Sequence, residues 1–463
     1  MTTMTIEKSR KAPTPALRVP PERIGLGFQG GSFLAGALST GVVKALIERQ
    51  IFDRIGAFSG TSAGALVAAM CWKHQLAGTV NELPEQLKQQ WLANATGVIP
   101  NQQTGDFLKL LDRQWSLNPF YFHLWKELMF VPKLHQAFER WVADYVQPKE
   151  CMQLLYERYV QEQLAQSLDD WRDRSRSAFN NDERRTRLLV STTEIHRGEI
   201  VVIDDEDLFD ALLEAFEIAL SERLNNMERE QAIAGARSRA IEVGAEYMSK
   251  ALMASGSLDD LNGMTRIEEI QGLKNIKHKG HYLDGAWAEN PPMKELIDSR
   301  IDEIWMVEVF PKKCESEPET HEARQDRKEE LWQNALVEQQ LYFIRKVNLW
   351  LQSERLLDDG RLQDLRQKLI ERLNGGDVAL LEAFNNGVAH PDYFATAEAK
   401  AAEMTKVYRP VTTRCIHLPT ELQPLTAGAR IVNSPSYLVD KMDVGYASAL
   451  RFVSDLPYTL PTP

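Results

Sequence analysis

The chain has 463 residues, 43% of them hydrophobic and 26% charged, enough for one large domain or two to three average ones with a full core. Its formal net charge of −12 argues against nucleic acid as the main partner and against broad attraction to anionic lipid, and leaves room only for a local basic patch. The four cysteines, Cys71, Cys151, Cys314 and Cys415, show neither a pairing rhythm nor metal-ligand spacing, so a reducing cytoplasm is the simplest compartment and no metal is expected.

Residues 1–21 carry charges and prolines without an apolar core and read as a flexible arm rather than a signal peptide. No stretch approaches the roughly 18 apolar residues that a bilayer-spanning helix needs, so any contact with membrane is expected to be peripheral and transient. Ile24–Phe28 reads as a first strand, ending in Gln29-Gly30-Gly31-Ser32. Leu38, Val42, Val43, Ala45, Leu46 and Ile47 then give one apolar side of a helix. A second short apolar run, Ile55-Gly56-Ala57-Phe58-Ser59, leads into Gly60-Thr61-Ser62-Ala63-Gly64, and Ala65–Trp72 reads as the start of a buried helix. The rhythm is strand, glycine loop, helix, strand, sharp turn, helix, which predicts a parallel α/β sheet.

The middle of the chain departs from that rhythm. Between Trp115 and Tyr145 stand nine aromatics in 31 residues, against a chain average of 8%. This segment reads as a helical core, as a cap over an acyl pocket, or as a membrane-docking face. Strand character returns at Leu188–Thr193, Glu199–Ile203 and Ile304–Phe310, with helical patterns from Asp207 to about Lys250. The charged stretch Lys312–Glu330 reads as a solvated linker or an exposed helix start. It precedes an amphipathic helix bearing Leu331, Leu336, Leu341, Ile344, Val347 and Leu351.

Chemistry concentrates in three places. Gly60-Thr61-Ser62-Ala63-Gly64 fits the G-x-S-x-G elbow, in which small neighbours let the backbone turn from strand to helix and lift the serine hydroxyl to a sheet end. Gly30-Gly31-Ser32 offers backbone N–H groups to an anion, so beside Ser62 it could stabilise the oxyanion of acyl transfer. The formal match Gly25-Leu26-Gly27-Phe28-Gln29-Gly30 to a dinucleotide fingerprint is rejected, because Pro20-Pro21-Glu22-Arg23 rather than a strand precedes it. A serine needs a base, and the residues offer His390, His417 and Asp284. Asp284 opens Asp284-Gly285-Ala286 at the end of a short apolar run, a pattern shared with ordinary Asp-Gly turns.

Taken in order, Gly30-Gly31, Gly60-x-Ser62-x-Gly64 and Asp284-Gly285-Ala286 resemble the patatin-like phospholipase family. The stretch Gly36-x-x-x-x-Gly41-Val42-Val43-Lys44-Ala45-Leu46, the small-residue run Ala254-Ser255-Gly256-Ser257 and the trailing Asn290-Pro291 are similar to further family features. The resemblance covers about residues 22–312. It implies a three-layer α/β/α fold with a mainly parallel sheet, helical insertions (the aromatic one at about 100–180) and a helix-rich region at 313–463. It also implies a cofactor-free serine esterase acting on acyl lipids through a Ser62-Asp284 dyad without histidine. Gly30, Gly31 and Ser32 would form its oxyanion hole, with Gly60, Gly64, Gly285 and Ala286 supporting the two motifs. An acyltransferase with the same dyad, a neutral acylglycerol lipase and a non-catalytic scaffold remain open at this stage. Two departures stand out: Ser32-Phe33-Leu34-Ala35-Gly36 lacks the basic residue common in that loop, and Leu258-Asp259-Asp260 replaces a frequent proline.

Overall fold

A computed structural model describes residues 20–95, 99–106, 138–224, 227–257, 264–313, 317–358, 410–417 and 427–458. The strands are β1 (Ile24–Phe28), β2 (Ile55–Gly60), β3 (Arg187–Glu194), β4 (Glu199–Asp204), β5 (Thr265–Ile267), β6 (Gly280–Asp284), β7 (Glu303–Val307) and β8 (Thr412–Ile416). They form one sheet in the order β5-β6-β3-β2-β1-β7-β8, with β4 paired to β3. The β3-β2-β1-β7-β8 run is parallel, and β4, β5 and β6 add antiparallel pairs at the other side. Every residue of β1, β2 and β7 is buried, as expected for central strands covered by helices on both faces.

The helices that matter for the site are α1 (Ser32–Glu48), α2 (Ala63–Ala77), α3 (Leu83–Ala93), α4 (Pro148–Tyr159), α5 (Asp205–Leu224), α6 (Arg229–Ser255), α7 (His321–Asp358) and α8 (Pro435–Ser454). Helix α2 has no polar residue in its first ten positions and is buried from Ala63 to His74, which places it between the sheet and the outer helices. It stops at Gly78, whose φ of 71° allows the left-handed cap. The mainly parallel sheet with helices on both faces is the expected three-layer arrangement.

Most sequence-predicted strands recur within a residue or two, and the helical span from Asp207 resolves into α5 and α6. Two short strands, β5 and β8, carry no alternation of their own and form only because the sheet offers them edges. The region beyond residue 313, expected to be a charged linker and helices, therefore also supplies the edge strand β8. Part of the charged stretch is docked: Arg327 donates to the Pro311 carbonyl at 3.1 Å and pairs with Glu330 at 2.8 Å. The inward side of α7 holds Val337, Ile344, Val347 and Leu351, whereas Leu331, expected on that apolar side, is exposed.

Of the aromatic stretch, residues 107–137 lie outside the described residues. Its described end is core: Phe138 and Trp141 are buried, and Trp141 meets Phe33 and Trp91 edge-on at ring separations of 5.6 and 5.1 Å.

Candidate active site

The sheet register brings the two motifs to one level. Gly60 at the end of β2 pairs with Val190 of β3, and Asp284 at the end of β6 pairs with Thr192. Thr192 lies two residues past Val190, as Ser62 lies two past Gly60, so Ser62 and Asp284 stand together at the carboxyl end of the parallel strands. Ligands of open α/β sheets bind at that edge.

Ser62 sits at the turn from β2 into α2 with φ 56° and ψ −124°, a backbone conformation that costs a non-glycine residue about 1–3 kcal/mol. Tight packing holds it there. A Cβ on Gly64 would lie 2.3 Å from the Phe28 carbonyl oxygen, so only glycine lets α2 start this close to β1. The Ser62 N–H donates to Ser255 Oγ at 2.9 Å, which ties the turn to the end of α6. The hydroxyl stands at the N-terminus of a 15-residue helix, whose dipole favours negative charge there.

Asp284 is 1% exposed. One carboxylate oxygen, Oδ1, accepts the Ala286 N–H at 2.8 Å; the other, Oδ2, has no hydrogen bond of full geometry. Burial pushes the carboxyl up to about 7, against the opposing influence of the Ala286 N–H and the Ser62 hydroxyl. Ser62 is the side-chain hydroxyl that bears on this carboxylate. A Cβ on Gly285 would strike the Ser191 carbonyl oxygen at 2.3 Å, which fixes this turn against β3.

The glycine loop lies on the elbow. A Cβ added to Gly30 would come within 3.0 Å of Ser62 Cβ and 2.8 Å of the Thr61 carbonyl oxygen. Gly30 has its own N–H engaged, donating to Asn290 Oδ1 at 2.5 Å. Gly31 and Ser32 have no acceptor for their N–H groups among the described residues, and the same holds for Ala63, the residue after Ser62. The sequence reading did not include Ala63, although the position following an elbow serine is a usual oxyanion donor.

Asn290 belongs to a buried relay that sequence reasoning did not find. Its Nδ2 donates to Gln333 Oε1 at 3.0 Å, and Gln333 Nε2 donates to the Ala286 carbonyl at 3.1 Å. One turn-pair further along α7, Gln340 Oε1 accepts the Met293 N–H at 2.6 Å while its Nε2 donates to the Pro291 carbonyl at 2.9 Å. Two glutamines on the inward face of α7 thereby hold the chain that follows Asp284. The seven-residue spacing of Gln333 and Gln340, interleaved with buried Val337 and Ile344, was the available signal.

The other candidates separate from this site. His417 bonds Glu308, not Ser62 or Asp284, and His390 lies outside the described residues. The thiols of Cys151 and Cys415 are pushed up to about 12 by burial, so neither competes as a nucleophile at neutral pH. Among the described residues no three His, Cys, Asp or Glu side chains gather as a metal-binding group. No described helix is long and apolar enough to cross a membrane.

The sequence model of the patatin-like phospholipase family matches residues 26–297. A search of curated proteins finds no match. Among solved structures, VipD from Legionella pneumophila is similar at 14% sequence identity with a TM-score of 0.28, over 91% of this chain and 67% of that one. The family match spans more than half of the 463 residues and includes both Ser62 and Asp284, so this chain belongs to the patatin-like phospholipase family.

Proposed function

We propose that this protein hydrolyses carboxylic esters of acyl lipids, with Ser62 as nucleophile and Asp284 as its base. Family membership supports lipid acyl hydrolysis in general. The observation that carries the finer reading is the meeting of the elbow serine with a carboxylate that is 1% exposed and otherwise half-unsatisfied.

Ser62 Oγ attacks the ester carbonyl carbon while its proton passes to Asp284. The carbonyl becomes a tetrahedral oxyanion facing the free N–H groups of Gly31, Ser32 and Ala63, and the positive end of α2 adds to their effect. The intermediate collapses, the carbon–oxygen bond to the alcohol breaks, and the alcohol leaves with the proton from Asp284. A water then attacks the acyl-serine, giving its proton to Asp284, and the fatty acid departs as Ser62 recovers its hydroxyl. An aspartate of ordinary pKa near 4 would be a feeble base; the burial that lifts Asp284 to about 7 matches it to this work at neutral pH. The buried rings of Phe33, Trp91 and Trp141 pack together at the first turns of α1, and Phe138 packs on Trp141 and Gly256; this apolar cluster is the wall we assign to the acyl chain.

The test combines labelling with turnover. A fluorophosphonate probe should attach to Ser62 of the parent chain and fail on Ser62→Ala. Ser62→Ala and Asp284→Asn should each reduce ester hydrolysis by at least about a thousandfold with unchanged circular dichroism. Retained turnover in either variant would remove the dyad.

A further inference from the structure

An apolar surface borders the candidate site. Of the ten large apolar side chains exposed among the described residues, five lie on α7 (Leu331, Trp332, Tyr342, Phe343 and Leu349) and a sixth is Trp287. Trp287 sits on the turn that follows Asp284, and its ring meets that of Trp332 at 5.0 Å. Both indoles remain well exposed, 49% for Trp287 and 37% for Trp332. Leu331, Ala335, Glu338 and Tyr342 follow one another at steps of four, three and four residues, so they share a line along the outside of the helix. The opposite side of the same helix is the buried one that carries Gln333 and Gln340.

The charges around this surface are sorted. Arg324, Lys328 and Arg345 are exposed along α7, and Lys346 lies over the Tyr342 ring at 5.2 Å. Glu338 is exposed as well and pairs with Arg345 at 3.2 Å and Lys312 at 3.3 Å, while Glu330 and Glu329 turn to Arg327 and Arg430. In a chain of net charge −12, this face has an excess of positive charge.

We infer that the outer face of α7, together with Trp287, is the surface by which this protein seats on a lipid bilayer containing anionic headgroups. Three observations favour that occupant over a protein. Tryptophan prefers the headgroup level, where its ring is partly apolar and partly hydrogen-bonded. An apolar helix face edged by lysine and arginine is the pattern of a helix lying in the interface plane. Trp287 of the indole pair also stands three residues from Asp284, so lipid reaching this face arrives at the site. That last point rests on the proposed hydrolase reading; the first two do not.

The experiment uses full-length Ser62→Ala protein, so that binding is read without turnover. Flotation with phosphatidylcholine vesicles containing phosphatidylserine should carry the protein upward, less so without phosphatidylserine or at high salt. Trp332→Ala/Phe343→Ala should weaken partitioning by about tenfold or more through lost apolar burial. Lys328→Glu/Arg345→Glu, a surface change with no core side chain touched, should weaken binding to the anionic vesicles. Failure of the parent to float, flotation of either double variant equal to that of the parent, or a dimer that Trp332→Ala/Phe343→Ala converts to monomer would overturn the inference. Turnover of a short water-soluble ester by the same double variants in the Ser62 background separates the two readings. Retained turnover with lost flotation supports the docking surface, whereas an inactive parent that still floats removes only the hydrolase reading.

Discussion

The Ser62 side of the candidate site and the Asp284 side are held by different means. Ser62 is positioned by backbone: β2, the turn and α2 are contiguous, and the glycines at 60 and 64 let main chains pack at distances no side chain permits. Asp284 ends strand β6, but the segment after it is held by side chains, two of them distant in sequence. Asn290, Gln333 and Gln340 fix the segment after it, and two of those three come from a helix beginning at residue 321. A locally built element is sensitive to steric change; a remotely braced one is sensitive to the loss of single hydrogen bonds.

The largest effect is expected at Gly64. An alanine there places Cβ 2.3 Å from the Phe28 oxygen and 2.8 Å from the Gln29 oxygen, both backbone atoms that cannot rotate away. Gly64→Ala should cost more than about 3 kcal/mol and abolish fluorophosphonate labelling, as read by thermal unfolding and by the label itself. Near-normal stability in that variant would show that the elbow is not packed as described.

Asp284 gives the next effect, through pH. With its carboxyl held up to about 7 by burial, kcat/KM should fall about tenfold per pH unit below that value and level off above it. The stability sign is opposite. The unfolded carboxyl loses its proton near pH 4 and the folded one near 7, so between those values the native state binds the extra proton. Stability from this group is therefore complete below about pH 4 and lost as pH rises to 7, a difference of roughly 4 kcal/mol at about 1.4 kcal/mol per unit. Asp284→Asn, inactive, should unfold at a higher temperature than the parent at pH 8 and show little gain at pH 4. An activity profile flat from pH 5 to 8 would mean that Asp284 does not titrate in turnover.

The same contrast explains what could be read from the sequence. Gly60-Thr61-Ser62-Ala63-Gly64 is legible because its geometry is local: the residues that make the turn are the residues that form the motif. Strands β1, β2 and β7 are legible for the same reason, since a strand buried on both faces is a continuous apolar run. Asp284-Gly285-Ala286 becomes more than a turn only with the other two motifs in view. Nothing local marks Gln333 as a partner of Asn290, because their 43-residue separation is closed by tertiary packing. Nor does the sequence show that Gly30 spends its N–H on Asn290, which shifts the free donors toward Gly31, Ser32 and Ala63.

Gln333 tests the remote bracing directly. Gln333→Leu keeps the volume and removes both amide partners, leaving Asn290 Nδ2 and the Ala286 carbonyl buried and unpaired. The cost should be about 2–4 kcal/mol, at 1–3 for each orphaned group with partial relief by relaxation. If the relay sets the site, kcat should fall with KM little changed, because the Gly30 loop and the turn after Asp284 shift while the apolar wall does not. A KM change alone would instead assign Gln333 to substrate binding.

Ser255 supplies the smallest test and links the two sides. Its hydroxyl accepts the Ser62 N–H at 2.9 Å within a fully buried neighbourhood, so it braces the Ser62 backbone itself, as Thr61 Oγ1 braces the residue before by donating to the Glu289 carbonyl at 2.8 Å. Ser255→Ala should leave that N–H unpaired at a cost of about 1–3 kcal/mol, and the strained Ser62 backbone should relax toward an ordinary turn. Fluorophosphonate labelling should slow by several-fold while folding persists. Ser255→Thr, which keeps the hydroxyl, should recover the labelling rate if its extra methyl is accommodated beside Gly256. Should Ser255→Ala instead match Gln333→Leu in its loss of kcat, the backbone-built side would depend on a remote hydrogen bond as much as the acid side does, and the contrast between them would collapse.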